Sequence, residues 1–547
     1  MTVSFSRAIG KRSGVQLNPI SDLSEIGSIA SDYNGAFAAR LSRGRIDKVF
    51  AVTREQIRRL TGEPMSMTVS ALGETQVHLY EALRYGAQQA IVARLVSKDA
   101  VLKLIAVTAA ATPESGAVPK MLKAVSEAEG LPAGALLTLR HKECFNDGVV
   151  VEINAEAAET DVGAPAPSKV VLIRLVDPQT GKVILGPYRG SLSPTSADEF
   201  GNSDYIVDVV AKSTDLLEVV DVAEDASVPV ACAFYGKADN KARYQSEKVE
   251  YFTEGPTVYT SAEIENAISR LKRSRPNFTY IGAGGTQNVA LISALLDLGK
   301  DINKQVVWDV PGHLAPDAAA TFYASIGGST NSLYSQAFWA PIKSDNPLAG
   351  GKAYIGTSGQ QIGLRCARNA QVNAKGIAPR NQPIAGSGFA LSRTNITQTY
   401  EPTDDELEVL AESRINPCIF KDYSSGAKYA WLDSLTGAQT EGATKLIAVA
   451  EMGTWLDDKV TNNAQECLQK PMAQSISLHL RFLGDLLPAL ESAGWLQGTA
   501  ELDGASYRAE VAANPSSPYD TMNSRYEVCY DGTNRVTIVQ QTIVRAS

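Results

Sequence analysis

The sequence predicts an α/β protein of several parts, with a mixed sheet, covering helices and a β-rich insertion. Three observations carry that expectation. Beyond about residue 256, buried-type strand runs alternate with helical runs, as in a parallel or mixed sheet. Between about 105 and 255 the character changes to β-rich runs separated by Pro, Gly and small residues. At 547 residues the chain is also too long for one core, and about three or four domains are expected.

Composition narrows the class. Hydrophobic residues make up 44% and charged residues 20%, ordinary for a soluble globular protein. Lys+Arg 51 against Asp+Glu 60 gives a net charge of -9, which argues against a nucleic-acid coat or an anionic-membrane binder. "MTVSFSRAIGKRSG" lacks the apolar core of a signal peptide, and no run approaches the ~18 apolar residues of a membrane span. The six cysteines are scattered without a CxxC, the pattern of reduced thiols made in a cytoplasm.

Residues 1–20 are polar, basic and weakly patterned, and read as an arm. "EIGSIASDYNG" reads as a strand followed by a turn at Asn34-Gly35. "TREQIRRLTGEP" reads as a short helix with Thr53 as N-cap, Gln56 at the capping-box position and Gly62 closing it. In "GETQVHLYEALRYGAQQAIVARLV", Val77, Leu79, Tyr80 and Leu83 give a helix its apolar face, and a buried strand follows over Ala90–Val96. "KVVLIRLV" and "KVILGPY", joined by "DPQTG", form a hairpin. Thr260 or Ser261 caps a helix whose Ile264, Ile268 and Leu271 share a face. Next come a strand at Phe278–Ile281, a glycine-rich turn and a helix. The apolar strand "KQVVWDVPG", the helix "PDAAATFYASIG", the strand "YSQAFWAPI" and the helix "GTSGQQIGLRCARNAQV" follow in turn. "TDDELEVLAESR" carries a Thr403 cap and an acidic first turn. "QECLQKPMAQSISLHLRFLGDLLPALESAG" is a long helical stretch that Pro471 starts or kinks. The tail "SRYEVCYDGTNRVTIVQQTIVRAS" reads as two β-runs around "DGTN".

Chemistry finds little purchase. The turn Gly282-Ala-Gly284-Gly285-Thr-Gln-Asn has Gln287 where GxGxxG requires its third glycine, and it lacks the lysine of a P-loop. Asp309, ending "VVWD", is the better-placed acid, but one carboxylate is not a ribose site. The four histidines are remote from one another, with no HExxH and no metal-ligand spacing, so no metal is expected. His78 and His479 fall in helical runs and are expected at surface or boundary positions, and His313 in a loop. Cys366 and Cys418 read as buried small apolar residues. No catalytic residue, cofactor-binding residue or cofactor is assigned. The alternative to a structural role is a nucleotide- or cofactor-dependent α/β enzyme using the Gly-rich turn at 282–285.

The order of features resembles a known family. "LYEALRYGAQQAIVARLV", "AISRLKRSRPNFTYIGAGG", "VVWDVPG" and "YSQAFWAPI" are similar, in that order, to the helix–strand series of contractile phage tail sheath proteins, a family that includes tailocin and contractile injection system sheaths. "NAKGIAPRNQPIAG" matches a further family segment through Gly376, Pro379, Asn381 and Gly386, and "LPALESAGWLQG" resembles the last helix. The chain departs from the family in having Leu432 after Trp431, where glycine is usual, and in lacking an N-x-R-R run near "KLIAVAEMGTWLDDKV".

The resemblance implies a structural subunit, not an enzyme, that polymerises helically around an inner tail tube and contracts to drive it through the host envelope. It implies a homo-oligomer of stacked rings in a virion tail, made in the bacterial host cytoplasm. Tail tube, baseplate and tail terminator proteins would be its partners, without nucleic acid or membrane insertion. The expected division is an N-terminal arm (1–20), an N-terminal α/β domain (21–105), an outward β-rich insertion (106–255), an α/β core (256–520) and a C-terminal arm (521–547). Strand exchange between subunits would use arm residues Val3 and Phe5 at one end and Val536, Ile538, Val539, Ile543 and Val544 at the other.

Overall fold

A computed structural model describes residues 33–67, 73–108, 122–126, 129–155, 170–222, 245–256, 258–274 and 277–541. The chain opens with β1 (Asn34–Ala39), β2 (Phe50–Val52), α1 (Ile57–Thr61), α2 (Gly73–Tyr85) and β3 (Gln89–Arg94). The β-rich stretch supplies β4 (Val101–Leu102), β5 (Leu104–Thr108), β6 (Leu122–Val125), β7 (Ala135–His141), β8 (Val149–Ala155), β9 (Val170–Val176) and β10 (Val183–Ser191). It ends with α3 (Ile206–Ser213), β11 (Leu217–Asp221), β12 (Gln245–Val249) and β13 (Phe252–Thr253). Alternation then sets in with α4 (Ser261–Lys272), β14 (Tyr280–Gly282), α5 (Val289–Asp301), β15 (Gln305–Val310), α6 (Pro316–Ser325) and β16 (Ser335–Trp339). Three short strands, β17 (Ile342–Asp345), β18 (Lys352–Tyr354) and β19 (Thr397–Gln398), flank α7 (Ser358–Asn369). The rest comprises α8 (Asp404–Glu412), β20 (Ile415–Lys421), β21 (Lys428–Trp431), α9 (Ile447–Cys467), α10 (Met472–Ser492), β22 (Tyr507–Ala513) and β23 (Met522–Val528).

The expected mixed sheet is an eight-stranded one, ordered β2-β3-β1-β14-β15-β16-β20-β21. Its six central strands pair in parallel and its two outermost strands pair antiparallel. Side chains alternate between two cores, as a pleated strand requires. Val306, Trp308 and Val310 of β15 face a core built with α4, α5, α6 and α8. Val307 faces the opposite core, built with α2 and α7. A third core fills the β-rich part, whose two four-stranded sheets are ordered β10-β9-β8-β12 and β11-β7-β5-β6. A fourth lies between α9, α10 and the β22–β23 hairpin.

Local signals hold at several places. β9 and β10 form the expected antiparallel hairpin, closed by the Asp177 N–H to Lys182 carbonyl bond of 2.8 Å. Thr260, not Ser261, is the N-cap of α4, and the Glu263 carboxylate accepts its N–H at 2.5 Å. Thr403 and Glu406 make the reciprocal bonds of a capping box on α8. Pro471 directly precedes α10 and starts it. Cys366 and Cys418 are buried.

Four expectations are corrected. Asn34-Gly35 is not a turn but the start of β1, because that strand is the parallel partner of both β3 and β14. Thr53 makes no side-chain cap, and Gln56 closes a 3-10 turn running into α1, so no capping box forms. His78 and His479 are fully buried, each with hydrogen-bond partners that offset its desolvation. Of the two tail β-runs only the first is a strand among the described residues. β23 pairs with the upstream β22, and residues 531–541 carry no regular secondary structure.

Candidate functional site

Adjacent parallel strands β1 and β14 send their connections to opposite faces of the sheet. The chain leaves β1 toward α2 and β3, and leaves β14 through α5 toward β15. In open α/β sheets such a switch point opens a crevice at the carboxyl ends of the strands, where ligands bind. Here a cleft of about 540 Å³ occupies that place, and Arg40, Thr75, Tyr259, Gly284 and Asn288 are among its lining residues. The glycine-rich turn thus stands where a phosphate cradle would stand.

Each glycine has a reason that involves no ligand. A Cβ at Gly282 would come within 2.2 Å of the Phe37 ring on β1. Gly284 and Gly285 have φ of +64° and +74°, which side-chain-bearing residues rarely adopt. A Cβ on Gly285 would also lie 2.3 Å from the side chain of Glu74. The turn is tied down by Thr75, whose hydroxyl donates to the Gly284 carbonyl at 3.0 Å. Asn288 caps α5 by accepting the Leu291 N–H at 3.1 Å. The carboxylate of Glu74 beside the turn opposes a bound phosphate, since like charges in a partly dry site repel. The geometry supports a packed corner between β14 and α5.

Asp309 is not in this cleft. Its side chain turns to the face of α7 and accepts the Thr357 N–H at 2.6 Å and the Ser358 N–H at 3.1 Å, which satisfies the start of that helix. His78 of α2 lies beside it, with Nε2 3.4 Å from Glu74 and 3.8 Å from Asp309. The Gly359 N–H points at Nδ1 from 3.1 Å, which puts the neutral ring's proton on Nε2. Burial pushes the Asp309 carboxyl above its ordinary value, against the pull of His78 and the α7 amides. Burial alone would depress His78, but Glu74, Asp309 and Glu81 outweigh it and raise its value.

Ser358 Oγ sits 3.2 Å from His78 Nδ1, so serine, histidine and aspartate meet. Sequence reasoning found no such constellation, because His78 and Ser358 lie 280 positions apart and fit no motif. Ser358 and His78 are both 0% exposed, so no substrate reaches the hydroxyl, and the cluster joins α2, β15 and α7 as a structural knot. His313, expected in a loop, is exposed after β15, with its ring edge-on to Tyr354. Among the described residues no group of three or more His, Cys, Asp or Glu could hold a metal. No helix among them is long and apolar enough to cross a membrane.

The corner assignment has a direct test. Calorimetric titration of the protein with ATP, GTP and NAD is expected to give no saturable heat. Tight binding that Gly284→Val abolishes would overturn the assignment.

Of the expected arm residues, Val3, Phe5, Ile543 and Val544 lie outside the described residues. Val536, Ile538 and Val539 are 76%, 92% and 85% exposed on an extension without strand pairing. Scattered single apolar residues are normal at a surface, but these three fall within four positions and form one exposed aliphatic cluster.

No protein-family model and no curated protein sequence matches the chain. Solved structures do. The chain is similar to a sheath tail protein from Listeria innocua with a TM-score of 0.52 at 9% identity, over 92% of this chain and 96% of that one. A sheath tail protein from Desulfitobacterium hafniense aligns over 95% of this chain and all of its own, with a TM-score of 0.48 and 10% identity. The sheath of an extracellular contractile injection system in its contracted state aligns over 50% of this chain and 74% of its own, at a TM-score of 0.41 and 15% identity. The Listeria match shows that the fold is shared along nearly the whole of both chains.

Proposed function

We propose that this chain is the structural subunit of a contractile tail sheath, polymerising helically around an inner tube and contracting to drive that tube through a host envelope. The fold shared with the Listeria innocua sheath tail protein over 92% of this chain and 96% of that one carries the reading, as an inference from fold to role. The exposed aliphatic extension at Val536–Val539 supports it, because such a segment suits pairing with another copy. A natural acceptor is the β22–β23 hairpin, a two-stranded sheet with no further strand on either edge among the described residues. Head-to-tail contacts of that kind build a helical filament when the rotation between copies does not close into a ring.

In this reading residues 106–255 decorate the outer surface, and 1–20 and 521–547 include the linking arms. Tail tube, baseplate and terminator proteins are its partners in a virion tail. The energy for contraction is stored in the assembled lattice, so the role needs no catalysis or cofactor.

Deleting residues 538–547 is the decisive experiment. The truncated chain is expected to remain a folded monomer, by circular dichroism and light scattering, while forming no tubes in negative-stain micrographs. Tubes indistinguishable from those of the full chain would overturn the arm reading.

A further inference from the structure

The C-terminal extension leaves the body in two stages. Up to Asp531 the backbone is stapled. The Cys529 N–H bonds to the Ser506 carbonyl at 3.0 Å, the Gln497 N–H to the Cys529 carbonyl at 3.0 Å, and the Asp531 N–H to the Trp495 carbonyl at 2.8 Å. Beyond Asp531 no described backbone group makes such a bond. Thr533 is half-buried, and among the described residues 532–541 Arg535 alone hydrogen-bonds through its side chain to the body. Arg535 grips Asp433 with both ends of its fork, Nε donating to Oδ1 at 2.7 Å and Nη2 to Oδ2. Asp433 lies just past β21, the edge strand of the main sheet, and its Oδ1 also accepts the Ser434 N–H at 2.7 Å. The residue after Arg535 is the first of the exposed aliphatic set.

We propose that the Arg535–Asp433 pair is a releasable anchor that gives the C-terminal arm two discrete reaches. Engaged, it makes the free arm begin at Val536. Released, the arm begins after Asp531 and gains four residues, roughly 13 Å of extended chain. The pair is suited to release because its side chains keep 25% and 14% of their exposure, so salt screens it more than a core pair. The backbone staples behind it are unaffected by salt to that degree. A linker that lengthens in one step lets a strand stay paired in a neighbour while subunits shift as rigid bodies. That use rests on the sheath reading, whereas the anchor itself is a property of the single chain.

The test exploits Arg535 as a trypsin site. A side chain held in a bidentate pair cannot enter the protease, so release of the segment beginning at Val536 reports the open fraction. Mass spectrometry of the full chain is expected to show slow cleavage after Arg535 at low salt. Asp433→Asn should cleave at least about fivefold faster, the loss of a charge-assisted bond. Arg535→Lys, still a trypsin site but unable to bind bidentately, should fall between the two. Raising salt to about 1 M, corrected with a peptide substrate, should speed the wild type and leave Asp433→Asn unchanged. Equal cleavage of wild type and Asp433→Asn would overturn the anchor. Failure of the sheath reading would appear instead in the truncation experiment, with the cleavage ratios unaltered.

Discussion

Arg43→Met is expected to lower the unfolding free energy by about 3–5 kcal/mol, the usual cost of removing one partner from a buried charge pair. Arg43 is 1% exposed and sits where the first α/β segment meets the β-rich part. Its Nε donates to Asp147 at 3.0 Å, its Nη1 to Asp177 at 2.6 Å, and its Nη2 to both carboxylates. The guanidinium also lies 4.3 Å from the Phe145 ring centroid. Methionine keeps much of the volume but leaves the Asp177 carboxylate buried without its cation.

The pH dependence has a defined sign. Burial would raise Asp177, but the Arg43 bond and neighbouring backbone N–H groups outweigh it and hold the carboxyl below its ordinary value. A depressed carboxyl contributes stability above its unfolded value, and that contribution is lost as pH falls through the folded one. The deficit of Arg43→Met, read by chemical denaturation, should therefore be full at neutral pH and shrink under acid. A variant within 1 kcal/mol of wild type at pH 7 would show that the seam is held by other contacts.

Glu451→Leu is expected to cost a similar ~3–5 kcal/mol by the same mechanism with the signs exchanged. Glu451 on α9 is fully buried, its carboxylate 2.6 Å from Arg368 and 3.4 Å from Arg365, both buried on α7. Burial works to raise its carboxyl, and Arg368 and Arg365 pull it below the ordinary value. Taking the carboxylate away strands two guanidinium groups in the core. Replacing Glu451, Arg365 and Arg368 together by leucine or methionine should be less damaging than Glu451→Leu alone, because two of the three buried guanidinium groups that face the carboxylate, all but Arg380, then leave with it. Denaturation midpoints of the single and triple variants decide it. A single variant no worse than the triple would remove Glu451 from its bridging role.

Much of the fold was legible because the signals were local. Thr403 with Glu406 announces α8, the spacing of Ile264, Ile268 and Leu271 announces α4, and the "DPQTG" turn between two β-runs announces the β9–β10 hairpin. The helix α9 was hidden for the opposite reason. Ile447, Ala448, Val449, Ala450, Met452, Trp455 and Leu456 are all buried, so its first turns show no polar face for a periodicity to reveal. His78 and His479 misled similarly. A histidine in a helical run says nothing about what lies over it, and the groups that make burial tolerable for these two come from α7, α9 and β23.

The glycine turn divides the two kinds of information most clearly. From the residues alone came a tight strand-to-helix passage without the third glycine or the lysine of a phosphate site. Backbone conformation depends on the residues that adopt it, so that much was local. Only the tertiary structure decided that Phe37, Thr75 and Glu74 crowd the three glycines so closely that no side chain fits there, and that Asp309 caps α7 instead of facing the cleft. It likewise paired β23 with β22 and left the aliphatic run after Arg535 uncovered. Buried charges are settled by groups far apart in the chain, 83 positions for Arg368 and Glu451 and 134 for Arg43 and Asp177, and no short window of sequence contains both members of such a pair.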